Sequence, residues 1–296
     1  MKLKSTVENY LFVLPAVTIF SIFYIVPFFS VFRYSFYDWD GIIRFKDAAF
    51  VGLDNFKEVL FQDPSWWQSM GNAVWITFIA LTFQNILAFL LAWACDREIR
   101  MKNFYRLVFF IPPVLSEIVV GMAWRFIIND VEGANIINRM LIGIGLPQLV
   151  HSWLNDPNTA LTTVALVHSW KGFGWGFLIF LAGLQTIPRE LYEAARVDGA
   201  NAWHSFCRIT MPLMMPVAVL VAILTILGTM QAFVLIIGLV GGEMAGHTSV
   251  PVLRILASMR GSSRFGYACA QGITFGAVLV VVSFMQLRLS RKYRSA

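Results

Sequence analysis

The sequence predicts an all-α integral membrane protein with six transmembrane helices and a short helix held outside the bilayer between spans four and five. Three observations predict it. The chain is 58% hydrophobic and only 14% charged, with mean hydropathy +0.68 over 296 residues; a soluble domain carries about 25% charged residues. Six apolar runs approach the roughly 20 residues a helix needs to cross a hydrocarbon core about 30 Å thick. They cover about 10–32, 70–95, 107–127, 159–185, 215–240 and 267–288. Lysine and arginine gather on alternate connections, as they do where loops face the cytoplasm.

The first run follows MKLKSTVENY and continues through Val31 and Phe32. That is too long for a signal-peptide core, and no small-residue cleavage pattern follows. It reads as a retained first span. With its outer loop it forms segment 1–69, an appendage to a five-span core over 70–296. In that loop VGLDNFKEVL (51–60) has apolar residues at helical spacing, which predicts a short amphipathic helix on the outer face. Turn and helix-stop signals separate the spans: DWDG, DPSWW, NDVEG, NDPNT and the Gly241-Gly242 pair. The third run contains Pro112-Pro113, which predicts a kink or break.

Thirteen of the 23 basic residues fall on one side: Lys2 and Lys4, the 96–106 connection, the 186–214 connection, and the tail from Arg288. Both termini and the 186–214 segment are therefore expected in the cytoplasm. The +6 net charge reflects topology and does not point to nucleic acid. Cys95, Cys207 and Cys269 are odd in number and lack C-x-x-C spacing, so neither a disulfide framework nor a metal site is expected.

No residue set for intrinsic catalysis is present. There is no Gly-Lys dipeptide for a P-loop, no G-x-S-x-G and no H-E-x-x-H, and the four histidines are scattered. GFGWG (172–176) lies within a span with no strand before it, so close helix packing explains it better than a phosphate loop.

The informative segment is IPRELYEAARVDGANAWHSFCRITMPLM, 187–214. Pro188 suits a first helical turn, and Arg189 and Glu193 are spaced to pair at i,i+4. Gly199 supplies a stop, and Asn201 can cap a second short helix from Ala202 to about Arg208, before Pro212 and Pro216 mark re-entry into the bilayer. Leu191, Ala194 and Ala195 form a narrow stripe of small apolar side chains that another surface can approach closely. Composition alone permits an ordinary solvated loop helix; the spacing argues for a docking knob.

EAARVDGANAWHSFCRITMP resembles the EAA signature of the inner-membrane permeases of binding-protein-dependent ABC importers, with pattern E-A-A, D-G-A, F, then I-x-L-P. It is met by Glu193, Ala194, Ala195, Asp198, Gly199, Ala200, Phe206, Ile209 and Pro212. Met211 replaces the leucine before the proline. FVGLDNF (50–56), FFIPPVLSEIVVGMAWRFI (109–127), Gly241-Gly242 and RFGYACA (264–270) are similar to the oligosaccharide-type branch. The resemblance covers about residues 10–290.

The resemblance implies the type I permease fold of ABC importers, in a bacterial inner membrane. It implies a second, similar permease as heterodimer partner, two ATP-binding subunits and an extracytoplasmic solute-binding protein. ATP and magnesium would be held by the partners, with no cofactor in this chain. The 187–214 segment would be the coupling helix seated in an ATPase groove, through Glu193, Ala194, Ala195, Asp198, Gly199, Ile209 and Pro212.

Inside the spans, ionisable residues are costly and face a cavity or a partner. Glu117 and Lys171 both fall near mid-bilayer by helical rise and are placed to pair; Arg125, near an outer end, is expected to snorkel. Trp170 and Trp175 beside Lys171, with Gln84, Asn85 and Gln231, have the flat faces and amides that sugar recognition uses. These are the candidate solute-pathway residues, with plain packing or pairing as the alternative. A carbohydrate importer is the leading expectation. Import of glycerol phosphate or another polyol is the alternative, and an ion-coupled secondary transporter would need carboxylates and broken-helix repeats.

Overall fold

A computed structural model describes residues 2–97, 100–128, 135–241 and 246–294. NDVEG (129–133) and Gly242 lie outside the described residues. Among the described residues, five helices are long and apolar enough to cross a membrane: Leu11–Tyr34, Pro64–Asp96, Pro157–Gln185, Ala202–Met230 and Phe265–Arg288. A sixth span is a bent pair, Lys102–Val114 and Glu117–Ile128, turned through 97°.

Local chemistry fixes several starts. Asp63 Oδ1 accepts the Trp66 N–H at 3.0 Å, and Pro64 opens the helix behind it, so DPSWW begins the second span earlier than 70. Asp156 Oδ1 caps the fourth span at Asn158 N, 2.9 Å, with Pro157 next in line.

Two expected spans differ. The third does not bend at its prolines. Pro112 and Pro113 stay inside the first helix, and the chain becomes extended at Leu115 (φ −67, ψ 145) before restarting at Glu117. The missing N–H groups weaken the last turn, and the break falls where that turn ends. The fifth span does not continue to 240. It starts at Ala202, passes through a π turn at Phe206–Thr210 and ends at Met230. A separate helix, Val234–Val240, follows and ends on Gly241 at φ +90. Hydropathy missed this break because both sides of it are apolar.

By internal contacts the chain divides into two units. One comprises 1–66 and 254–278. The loop after the first span forms a two-residue antiparallel ribbon, Tyr37 against Phe50 and Asp38 against Ala49. The helix expected in VGLDNFKEVL forms from Asp54 and also anchors the loop: Asn55 is buried, and its Nδ2 donates to Ser35 O and Tyr37 O, each 3.0 Å. The helical turn Asp54–Lys57 runs into a π turn whose Val59 is fully buried. Arg264 makes a two-pronged bond to Glu58 (2.7 and 2.6 Å), and Tyr267 donates to Asp63 at 2.8 Å. Glu58 and Asp63, just beyond FVGLDNF, thus tie this part of the loop to the RFGYACA stretch.

The other unit comprises 67–253 and 279–296. Its core joins spans two, four and five through Ala88, Ala92, Phe173, Phe177, Phe180, Leu184, Met214 and Val221. Polar bonds cross the second and fifth spans within it: Thr77 Oγ1 to Thr229 Oγ1 at 2.7 Å, and Thr225 Oγ1 donating to Asn85 Oδ1 at 3.0 Å. The GFGWG stretch packs closely. A Cβ on Gly174 would strike Phe109 O in the third span, and one on Gly172 would come within 2.6 Å of Gln84 Oε1.

Candidate functional site: a helix on the membrane face

The segment between spans four and five folds as a helix, Arg189–Val197, with Pro188 as its N-cap residue. Its end is a Schellman turn. Gly199 adopts φ +80, and the Ala200 N–H reaches back to Ala195 O at 2.8 Å. Asn201 then caps the next helix, Oδ1 accepting from His204 N at 2.9 Å. The second short helix is not separate, because Ala202–Ser205 continues through the π turn into the fifth span. The turn at 198–201 therefore connects the Arg189–Val197 helix directly to a transmembrane rod.

The two long faces of this nine-residue helix differ. Arg189, Tyr192, Glu193, Arg196 and, beyond the turn, Ala200 line a cavity of about 630 Å³. Trp93, Asp96 and Arg97 from the second span's end and Gln185, Phe206 and Thr210 form the other walls. Across it the Tyr192 hydroxyl bonds the Thr210 hydroxyl at 2.9 Å, while Arg97 lies 4.2 Å from the Trp93 ring centre. The opposite face turns outward: Leu191 is exposed, as is Ala194, and Val197 is 88% exposed. Trp203, stacked on Phe206, extends the exposed apolar surface. A helix this short gains its stability from packing, and here its apolar stripe is left uncovered by the described residues of its own chain.

Among the expected coupling residues, Glu193, Ala194 and Asp198 are exposed, Ala195 is half-buried, and Gly199 forms the turn. Ile209 packs on the core instead, and Pro212 lies at the start of Met211–Met230. Both lie beyond the short helix. Val197, Trp203 and Tyr192 were missed. Val197 continues the three-residue spacing of Leu191 and Ala194, a signal the sequence did carry. The Tyr192–Thr210 bond had no local signature.

The expected pathway residues fall into smaller groups. Lys171 Nζ lies 3.7 Å from Glu117 Oε1, and Trp170 packs edge-on to Trp124 with ring centres 5.3 Å apart. Gln84 is buried beside Gly172, with Oε1 lacking a hydrogen-bond partner among the described residues. Asn85 accepts from Thr225. Trp175 is exposed and packs on Phe110, while Gln231 is exposed at the end of its helix and donates to Leu227 O. Arg125 does not simply snorkel; its guanidinium lies against Gly241, at the C-terminal end of Val234–Val240, where a cation meets the negative end of a helix dipole.

Known proteins can be set beside this geometry. The sequence profile described as "Binding-protein-dependent transport system inner membrane component" matches residues 84–295. The chain is 33% identical over 288 residues to the arabinooligosaccharides transport system permease protein AraP of Bacillus subtilis (strain 168), covering 96% of this chain and 89% of that one. It is 30% identical over 272 residues to the multiple sugar-binding transport system permease protein MsmF of Streptococcus mutans, covering 92% and 91%. Its fold matches a chain of a bacterial ABC transporter for the acidic polysaccharide alginate, with TM-score 0.81, 23% identity and 99% of both chains covered. It also matches a chain of a bacterial alginate ABC transporter in complex with an alginate pentasaccharide-bound periplasmic protein, TM-score 0.80 at 24% identity, covering 98% of this chain and 96% of that one. The profile match and the coverage of nearly the whole chain place this multi-pass membrane protein in the family of binding-protein-dependent transport system inner membrane components, the permease subunits of ABC importers.

Proposed function

We propose that this chain is the translocation subunit of an ATP-driven importer for an oligosaccharide. The observation that carries the reading is the Arg189–Val197 helix, rooted in the fifth span and turning an uncovered apolar stripe outward. ATP hydrolysis would reside in two separate subunits holding ATP and magnesium, one of which would receive this stripe. Closure of the two ATPases would move the helix, and the Gly199 turn would pass that motion to the fifth span. Glu193 would present its carboxylate at the rim of the joint.

A second, similar permease would complete the pathway as a heterodimer, and an extracytoplasmic solute-binding protein would deliver the solute. The excess of lysine and arginine on alternate connections supports cytoplasmic termini. The names of AraP and MsmF support the carbohydrate. Glu117, Trp170, Lys171, Gln84 and Asn85 would face the solute at mid-membrane, with Trp175 and Gln231 at its margins. A polyol or glycerol phosphate is the alternative cargo; for the phosphate ester, Lys171, already beside Glu117, is a poor anchor.

The test is uptake by vesicles containing the full assembly, with a panel of arabino-, malto- and chito-oligosaccharides, glycerol and glycerol phosphate. The reading requires that one oligosaccharide class be taken up and that uptake cease when the partner ATPase can no longer hydrolyse ATP. Uptake that persists on an ion gradient alone would refute it.

A further inference from the structure

The third span turns through 97° between Val114 and Glu117, and one side chain from the fourth span reaches both sides of the corner. Lys171 Nζ lies 3.5 Å from Pro113 O on the first half and 3.7 Å from Glu117 Oε1 on the second. A break at this depth leaves carbonyls at the end of Lys102–Val114 and N–H groups at the start of Glu117–Ile128 without helical partners. Lipid cannot satisfy them. The end of the first half carries partial negative charge and the start of the second partial positive charge. An ammonium beside Pro113 O and a carboxylate on the first residue of the second half match both, and they also compensate each other.

Other contacts of the fourth span hold the two halves one at a time. Phe173 and Phe177 pack on Phe109, and Trp175 on Phe110, all in the first half. Trp170 packs on Trp124 in the second. The second half is fixed further by Gly238, where a Cβ would lie 2.6 Å from Ile118 O. None of these contacts touches both halves, whereas Lys171 does. Its side chain is only 11% exposed against 44% for Glu117, so the lysine is the buried end of the pair, held between the two halves.

We propose that Lys171 is a positioning residue that sets the angle of the broken third span by joining Pro113 O to the Glu117 carboxylate. This does not depend on which solute is carried, nor on whether Lys171 also meets it. The role deepens the translocation reading, because the corner fixes where the outer half of the span stands against Val234–Val240.

Spin labels on Leu107 and Phe126 test it, since both are well exposed, one on each half. The full chain is assembled with its partner permease and ATPases, and Cys95, Cys207 and Cys269 are replaced. From the rise of 1.5 Å per residue, backbones at these sites are about 28 Å apart in a straight helix and about 17 Å apart across a corner near a right angle. The unaltered pair should give one narrow distribution at the short distance. Lys171→Met should broaden it and move it outward, Lys171→Arg should restore it, and Glu117→Gln, of nearly the same shape, should broaden it too. If Lys171→Met fails to assemble, the Glu117→Gln arm decides alone. A narrow, short distribution in either neutral variant overturns the proposal, even if uptake is lost, because that result would make the pair a solute contact and not a clamp.

Discussion

Replacing Gly199 separates the geometry of the coupling turn from its surface chemistry. Gly199 holds φ +80, and a Cβ built there meets nothing within 4 Å. Alanine would therefore suffer no clash, and its cost is the left-handed backbone alone, about 1–2 kcal/mol. The helix it terminates is short, and one side-chain bond, Tyr192 to Thr210, is worth about 1 kcal/mol. A penalty of that size is comparable with what holds the helix, so the ratio of ordered to frayed helix should fall by about 5–30-fold. Asparagine tolerates this conformation, so Gly199→Asn should keep most of the function that Gly199→Ala loses. The assay is substrate-stimulated ATP hydrolysis by the purified assembly, normalised to the amount of permease in the membrane, which should not change. Equal activity of the alanine variant and the parent would refute the turn's role. Equal loss in alanine and asparagine would show that added bulk at the partner surface matters, and not the backbone.

Other outcomes follow from the same structure. Glu193→Lys should leave insertion unchanged and abolish substrate-stimulated ATP hydrolysis and uptake, whereas Glu193→Gln should be milder; normal stimulation in the lysine variant would contradict the coupling role. Tyr192→Phe and Thr210→Val should each weaken coupling by about 1 kcal/mol, and the double variant should be no worse than either, since both remove one bond. Gly174→Ala should lower the thermal midpoint of the purified protein by an amount matching about 1–3 kcal/mol of overpacking, because the added methyl strikes backbone. Thr77→Val with Thr229→Val should cost less together than the sum of the single changes, read from the same melting curves.

Much of this fold could be read in advance because a bilayer demands about 20 apolar residues per helix. That demand marks where spans are and says nothing of breaks inside them. The interruption at Gln231–Phe233 holds a single polar residue, Gln231, between two apolar stretches, too little to lower hydropathy across a span-length window. Pro112-Pro113 announced a break in the third span but not its position, which depends on where the weakened turn runs out. The short helix between spans four and five was legible because its signals are local: a helix, a glycine turn and a cap within a few residues. What holds it was not, since Tyr192 and Thr210 are 18 residues apart with no shared pattern. The same limit applies to Glu58 and Arg264, which meet across 206 residues. Ile209 and Pro212 lie beyond the short helix, Ile209 packed on the core and Pro212 exposed at the start of Met211–Met230.

The central claim is that the Arg189–Val197 helix joins this permease to a separate ATPase. Single cysteines in a background lacking Cys95, Cys207 and Cys269 test it most directly: Ala194→Cys and Val197→Cys on the exposed stripe, and Asn158→Cys at the opposite end of the fourth span. In an actively transporting assembly, the first two should form disulfide adducts with cysteines placed on the ATPase surface, and transport should stop when they do. Asn158→Cys should form none. Adducts from Asn158→Cys, or none from the helix in an assembly that still transports, would contradict the account.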